Sequence, residues 1–138
     1  MGTYKPIPHP SDLALIAEGA DLKEAFEAAA LGMFAFITNL DKVAEKKFIK
    51  VSAGGEDKEA LLVNFLNELI FLEDAKGILV KAISILDLTE TSIEAEVVGE
   101  NYNPKKHQLT HSIKAATYNQ LKVDQQKDRV EITVVFDV

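Results

Sequence analysis

The apolar residues of this chain change their spacing at Gly77. Before it, two stretches repeat at steps of three and four; after it, the repeat is two. The first stretch holds Leu22, Ala25, Phe26, Ala29, Met33, Phe34 and Ile37, and the second Leu61, Leu62, Phe65, Leu66, Leu69, Ile70 and Leu72. A repeat near 3.6 residues gathers such side chains on one face of an α-helix. The spacing predicts helices over about 22–37 and 57–75. Asp21, with Glu24 three positions on, forms a capping-box-like start to the first, and Asp57 precedes the second. Gly77 stands where a helix C-terminal glycine belongs. On the second helix Asn64, Asn67, Glu68 and Glu73 fall on the outward side.

A repeat of two turns alternate side chains to opposite faces of a strand. Residues 78–85 and 92–98 read as successive strands, with Thr89-Glu90-Thr91 at the bend between them and 101–104 as a loop. Further strands are expected at 12–18, 47–53, 111–117, 120–125 and 129–136, with Gly54-Gly55 as a turn. The opening Lys5-Pro6-Ile7-Pro8-His9-Pro10 cannot be helix, because each proline also holds the residue before it extended. It is read as a lead into the strand at 12–18. The order β-α-β-α, then a run of strands, predicts an α+β domain of two layers. Two helices would pack on one face of a largely antiparallel (mixed) sheet, whose other face is partly solvated. With no repeat, linker or low-complexity tract, residues 1–138 are read as a single domain. A chain of that length buries roughly two-thirds of its unfolded surface and needs no covalent staple.

Composition removes whole classes of chemistry. The chain has no cysteine, so disulfides, thiolate zinc sites, iron–sulfur clusters and cysteine nucleophiles are excluded. A formal charge of −7 argues against strong direct binding of nucleic acid, whose affinity comes mainly from Lys and Arg on phosphates. The excess acid lies in the middle third, where residues 51–100 carry 3 basic and 11 acidic side chains. A solvated helix face with strand edges accounts for that run, and an acidic docking surface is the alternative. The longest apolar runs fall far short of the ~20 residues a membrane helix needs. The first fifteen residues carry Lys5, three prolines, His9 and Asp12 and no apolar core of a secretory signal, so a cytoplasmic protein is expected.

No glycine-rich phosphate loop, G-x-S-x-G elbow or H-E-x-x-H is present. His107 and His111 are four apart in a strand-like stretch, on the order of 13 Å. Zinc ligands at ~2.0–2.1 Å from one ion cannot span that, so both are read as surface histidines beside a loop. The carboxylates offer more. Asp12 stands at the entry to the strand at 12–18, and Asp137 is penultimate in Val134-Val135-Phe136-Asp137-Val138. If those two strands are neighbours, both side chains and the terminal carboxylate on Val138 converge. Three like charges that close repel unless a cation sits among them, and an all-oxygen set suits a hard ion such as Ca²⁺ or Mg²⁺. Otherwise Asp12 caps a loop and Asp137 ends an exposed strand.

At these residues the chain resembles the archease family. His9-Pro10-Ser11-Asp12-Leu13 is similar to that family's H-T-A-D-I-G opening, and Leu61 to Leu69 (LLVNFLNEL) to its L-L-v-x-W-L-N-E-L helix. Lys106-His107-Gln108-Leu109, Lys114-Ala115-Ala116-Thr117-Tyr118 and Phe136-Asp137-Val138 resemble its R-H-x-L, K-A-V-T-Y and F-D-[VI] segments. The five run in the same order from about residue 9 to the last residue. Departures are Pro10, Ser11 and Ala14 for Thr, Ala and Gly, Phe65 for Trp, and Asn119 where His commonly follows the Tyr.

The resemblance implies a small, chaperone-like, non-catalytic activator of the RtcB-type RNA ligase, the GTP-dependent enzyme that joins tRNA halves in tRNA splicing. Such proteins promote ligase guanylylation and so speed its turnover. It also implies a metal site of Asp12, Asp137 and Val138, with Ca²⁺ the first choice and Mg²⁺ or Mn²⁺ alternatives. His9 and Lys114 are implied as residues facing the partner ligase. Two other classes remain open at the level of the residues: a metal-assisted phosphoesterase using the same carboxylates, and a metal-free interaction module.

Overall fold

Among the described residues, 2–138, the computed structural model has eight strands and two α-helices. In chain order they are β1 (Thr3–Ile7), β2 (Leu13–Gly19), α1 (Leu22–Ile37), β3 (Lys47–Gly54), α2 (Lys58–Lys76), β4 (Ile78–Leu88), β5 (Ser92–Asn101), β6 (Ala115–Ala116), β7 (Lys122–Gln125) and β8 (Val130–Asp137). One 3₁₀ turn lies at Leu40–Lys42.

Both helices begin and end for local reasons. Asp21 and Asp57 are the N-caps, their carboxylates accepting the backbone N–H groups of Glu24 at 2.9 Å and Ala60 at 2.8 Å. Glu24 reaches back to accept from the Ala20 N–H at 3.0 Å, which completes the capping box read from the sequence. Gly77 closes α2 in the left-handed conformation, φ 68° and ψ 28°, and its N–H reaches the carbonyls of Glu73 and Leu72.

The architecture is α+β, and every strand pair is antiparallel. The strands divide between two sheets where one was expected. The larger runs β1-β2-β8-β6, with β7 also on β8, and the smaller runs β3-β5-β4. The composition of α1 explains the division. Its buried residues Ala25, Phe26, Ala28, Ala29, Ala30, Gly32, Met33, Phe34 and Ile37 spread over roughly 240° of the helix at 3.6 residues per turn. A helix apolar around so much of its circumference needs cover on more than one side. It packs on β2 of the larger sheet and on β4 of the smaller, while α2 packs mainly on β3. Small residues permit the approach: a Cβ on Gly32 would lie 2.8 Å from Leu15 Cδ2.

Two local expectations are corrected. The proline-rich lead contains β1, with Pro6 opposite Leu15. That strand is at the edge of its sheet, where a missing N–H costs no ladder bond. Of the strand expected at 111–117 only Ala115–Ala116 forms. The segment before it is tied to the end of α1, where Thr110 N–H donates to Ile37 O at 2.7 Å and Thr38 Oγ1 to Gln108 O at 2.9 Å. No helix among the described residues is long and apolar enough to cross a membrane.

Candidate functional site

The site is built around the last residues of β8. This strand pairs with β2 along one edge, from Val130 opposite Gly19 to Phe136 opposite Leu13. One step further along that register come Asp12 and Asp137. Val130, Ile132, Val134 and Phe136 are buried toward the helices. By the alternation of a strand, Asp137 belongs to the opposite face, in the row of Val135. The neighbouring strands supposed from the sequence are therefore neighbours, and Asp12, Asp137 and Val138 stand at one end of the same ladder.

Asp12 owes its position to a tight turn. Ser11 takes φ 68°, a left-handed backbone that a residue with a Cβ adopts at a cost on the order of 1 kcal/mol. The reversal puts His9 beside Asp12, with Nδ1 3.7 Å from Asp12 Oδ2. That is too long for a hydrogen bond. The His9 side chain is 15% exposed, and its Nδ1 is fully buried with no hydrogen-bond partner. An unpaired buried nitrogen of this kind costs about 1–3 kcal/mol.

Along the other edge of β8 lies β6, with Ala115 opposite Asp137 and Ala116 opposite Phe136. Lys114 N–H donates to Asp137 O at 2.8 Å, while its side chain is exposed. Thr117 donates to Val135 O twice, through its N–H at 3.0 Å and its Oγ1 at 2.9 Å. The outer edge of β6 is met by α2: Asn67 Oδ1 accepts the Ala116 N–H at 2.8 Å. Asn67, placed outward by the helical repeat, instead reaches across to a strand. A polar residue between Leu66 and Leu69 was the available signal, but its partner 49 positions away was not legible.

His107 is also corrected. It is buried, 4% exposed, where a surface histidine was expected. Its Nδ1 accepts the Asn103 N–H at 2.9 Å, so the ring proton sits on Nε2 and donates to Glu100 Oε2 at 2.9 Å. Glu100 also accepts from Lys106 Nζ at 2.7 Å and from the Ala44 N–H at 2.8 Å. Lys106 foremost, then the Ala44 N–H, hold this carboxyl at about 2, against the opposing effect of burial. The cluster fastens the loop after β5. His111, at the far end of that loop, sets its ring edge-on to Phe36 at 6.3 Å, and Phe36 in turn meets Phe136.

A hollow of about 610 Å³ lies elsewhere. It is lined by the starts of both helices and by Leu88, Thr89, Glu90 and Gln125. Gln125 pairs with Val130 at the start of β8, about 23 Å along the strand from Asp137. Asp21 and Asp57 on its wall are already committed as helix caps. Part of the acidic excess of the middle third gathers here, at Glu56, Asp57, Glu59 and Glu90.

Among the described residues no three His, Cys, Asp or Glu side chains close up into a metal-binding group. The candidate donors at the end of β8 are the His9–Asp12 pair, in the turn between β1 and β2, and Asp137 with Val138. The orphaned nitrogen of His9 and two adjacent carboxylates suit a divalent cation in donor chemistry.

Comparison with known proteins follows the same outline. A model described as the archease protein family (MTH1598/TM1083) matches residues 4–138. The archease of Pyrococcus abyssi is 34% identical over 131 residues, covering 93% of this chain and 92% of that one. The solution structure of Methanobacterium thermoautotrophicum protein 1598 is similar in fold, with a TM-score of 0.80, 24% identity and 98% of both chains covered. A Thermotoga maritima crystal structure, titled an archease and possible chaperone, gives a TM-score of 0.62 at 24% identity, covering 97% of this chain and 96% of that one.

Proposed function

This chain belongs to the archease family, and from that membership we propose that it is an accessory protein of tRNA splicing that activates the GTP-dependent RtcB-type RNA ligase. It acts by contact with the ligase, promoting guanylylation and turnover, and is not itself a catalyst. The ligase makes the contacts to RNA, which reconciles this role with a charge of −7. The setting is the cytoplasm.

One observation carries the reading. Four of the five family-like segments, well separated along the sequence, meet at the end of β8: the turn with His9 and Asp12, the α2 stretch with Asn67, the β6 stretch with Lys114, and Phe136-Asp137-Val138. Asp12, Asp137 and the Val138 carboxylate would hold a divalent cation, with Ca²⁺ the first choice and Mg²⁺ or Mn²⁺ the alternatives. When bound, the cation would neutralise these carboxylates and supply a positive centre at an otherwise acidic rim. Asp12, just before β2, and Asp137, at the end of β8, would supply the oxygen donors, and Lys114, just before β6, has its backbone beside Asp137, where its exposed ammonium can meet the ligase.

The test is ligase guanylylation at limiting metal, with wild-type protein or the Asp12→Asn variant. Stimulation is expected from the wild type and a marked loss from the variant; equal stimulation by both removes the metal from the mechanism. Hydrolysis of a generic phosphodiester by the purified protein with divalent metal would replace this reading with an enzymatic one.

A further inference from the structure

Building on the metal reading above, we propose that His9 belongs to the cation site as a nitrogen donor through Nδ1, and that the site consequently prefers a first-row transition ion, Zn²⁺ foremost, over Ca²⁺. The His9 Nδ1 is buried and has no hydrogen-bond partner, and it lies 3.7 Å from Asp12 Oδ2. Two donors at about 2.1 Å from one ion, subtending about 110–120°, lie about 3.4–3.6 Å apart. The observed spacing is close to that and longer than a hydrogen bond allows.

Spacing alone does not pick the ion; the donor atom does. Ca²⁺ and Mg²⁺ take oxygen ligands, whereas imidazole nitrogen suits Zn²⁺ and its neighbours. A set of one imidazole and carboxylate oxygens therefore favours the transition ion. The Ser11 turn, with its φ of 68°, sets His9 and Asp12 side by side and so forms half of the site in advance. Asp137 forms the other half with Val138. Its carboxylate is exposed and has no side-chain hydrogen bond among the described residues, so it is free to turn toward an ion held by the first pair. No three such side chains are closed up among the described residues, so binding requires Asp137 to turn toward the first pair.

Two measurements on the isolated full chain test this. In pulsed EPR of the wild-type protein loaded with Mn²⁺ as a spectroscopic stand-in, a ¹⁴N coupling from a directly bound imidazole is expected, and it should vanish in His9→Ala. In calorimetric titration the wild type should bind Zn²⁺ more tightly than Ca²⁺. His9→Ala should lose at least about tenfold in Zn²⁺ affinity, a loss that even outer-shell partners of a metal site produce, and keep its Ca²⁺ affinity. Bound Mn²⁺ without nitrogen coupling, or an unchanged Zn²⁺ affinity in His9→Ala, makes His9 only an ion-pair partner of Asp12. That result overturns the present proposal and leaves the oxygen site standing. Absence of binding by any of these ions overturns both. The wild-type EPR result needs no variant, so misfolding of His9→Ala cannot mask the outcome.

Discussion

Replacing Asn67 by leucine should loosen the whole edge of β8 without touching β8 itself. The strand β6 is two residues long and has β8 on one side; on its other side the Ala116 N–H is taken by Asn67 Oδ1 at 2.8 Å. Ala116 is 5% exposed, so an Asn67→Leu change leaves that donor with no protein partner and little water. A buried donor left unsatisfied costs about 1–3 kcal/mol. A domain of 138 residues unfolds with an entropy of about 0.29 kcal/mol/K, so the expected fall in Tm is about 3–10 °C. Asn67→Asp is the control, because it keeps an oxygen acceptor at the same place and a carboxylate accepts an N–H at least as well as an amide. Thermal melts followed by circular dichroism should place the Asp variant near the wild type and the Leu variant well below both. Amide exchange at Ala116 should quicken in the Leu variant alone. If Asn67→Leu melts with the wild type, or if Asn67→Asp falls as far as Asn67→Leu, the side chain is not what holds β6, and its place in the site has to be argued differently.

Glu100 should make stability depend on acid. Its carboxyl is held at about 2 in the folded protein against an ordinary 4.5, so its contribution is complete above about 4.5 and is lost as pH falls from there through 2. Urea midpoints between pH 6 and pH 2.5 should therefore fall more steeply for the wild type than for Glu100→Gln; parallel curves would show that the cluster with Lys106 and His107 adds nothing. Two glycines should behave very differently. Gly77→Ala meets no atom within 4 Å and costs only the strain of a positive φ, about 1 kcal/mol. Gly99→Ala would drive a Cβ into Leu79 O, a backbone atom that cannot swing away, and should cost about 3 kcal/mol or more by chemical denaturation. Similar losses for the two would refute the close approach of β4 and β5. Finally, one glycine added after Val138 displaces the main-chain carboxylate from the proposed site, and calorimetry should then show weaker cation binding; unchanged affinity would leave Val138 out of the ligand set.

How much of this was legible depends on the range of the interaction that decides it. Both helices were, because their caps and apolar repeats are local: the expected 22–37 is Leu22–Ile37, and 57–75 is Lys58–Lys76. The edge strand β1 was hidden by Pro6, since a proline argues against a strand until it is known that the strand has a free edge. Two sheets in place of one had a signal outside the apolar stripe, the additional burial of Ala28, Ala30 and Gly32 on α1. The burial of His107 had none, because its partner Glu100 is an acidic residue at the end of a strand whose direction sequence does not reveal.

The convergence at β8 illustrates the same division. Residues 12 and 137 are far apart along the chain, yet their pairing requires only that β2 and β8 share an edge; once Leu13 faces Phe136, the antiparallel register brings Asp12 to Asp137 with no further information. Which strands pair is the non-local part, and the apolar pattern leaves it open. The other edge then matters as much. A final strand paired on one side tends to fray at its last residues, but here Lys114 N–H holds the Asp137 carbonyl and Thr117 holds that of Val135. The backbone of Asp137 is thus fixed from β6 while its carboxylate stays exposed and able to turn. A ligand-bearing residue needs both conditions, a held main chain and a free side chain. At the end of β8 they come from two different neighbours: β6, anchored by Asn67, fixes the position, and β2 brings the second carboxylate.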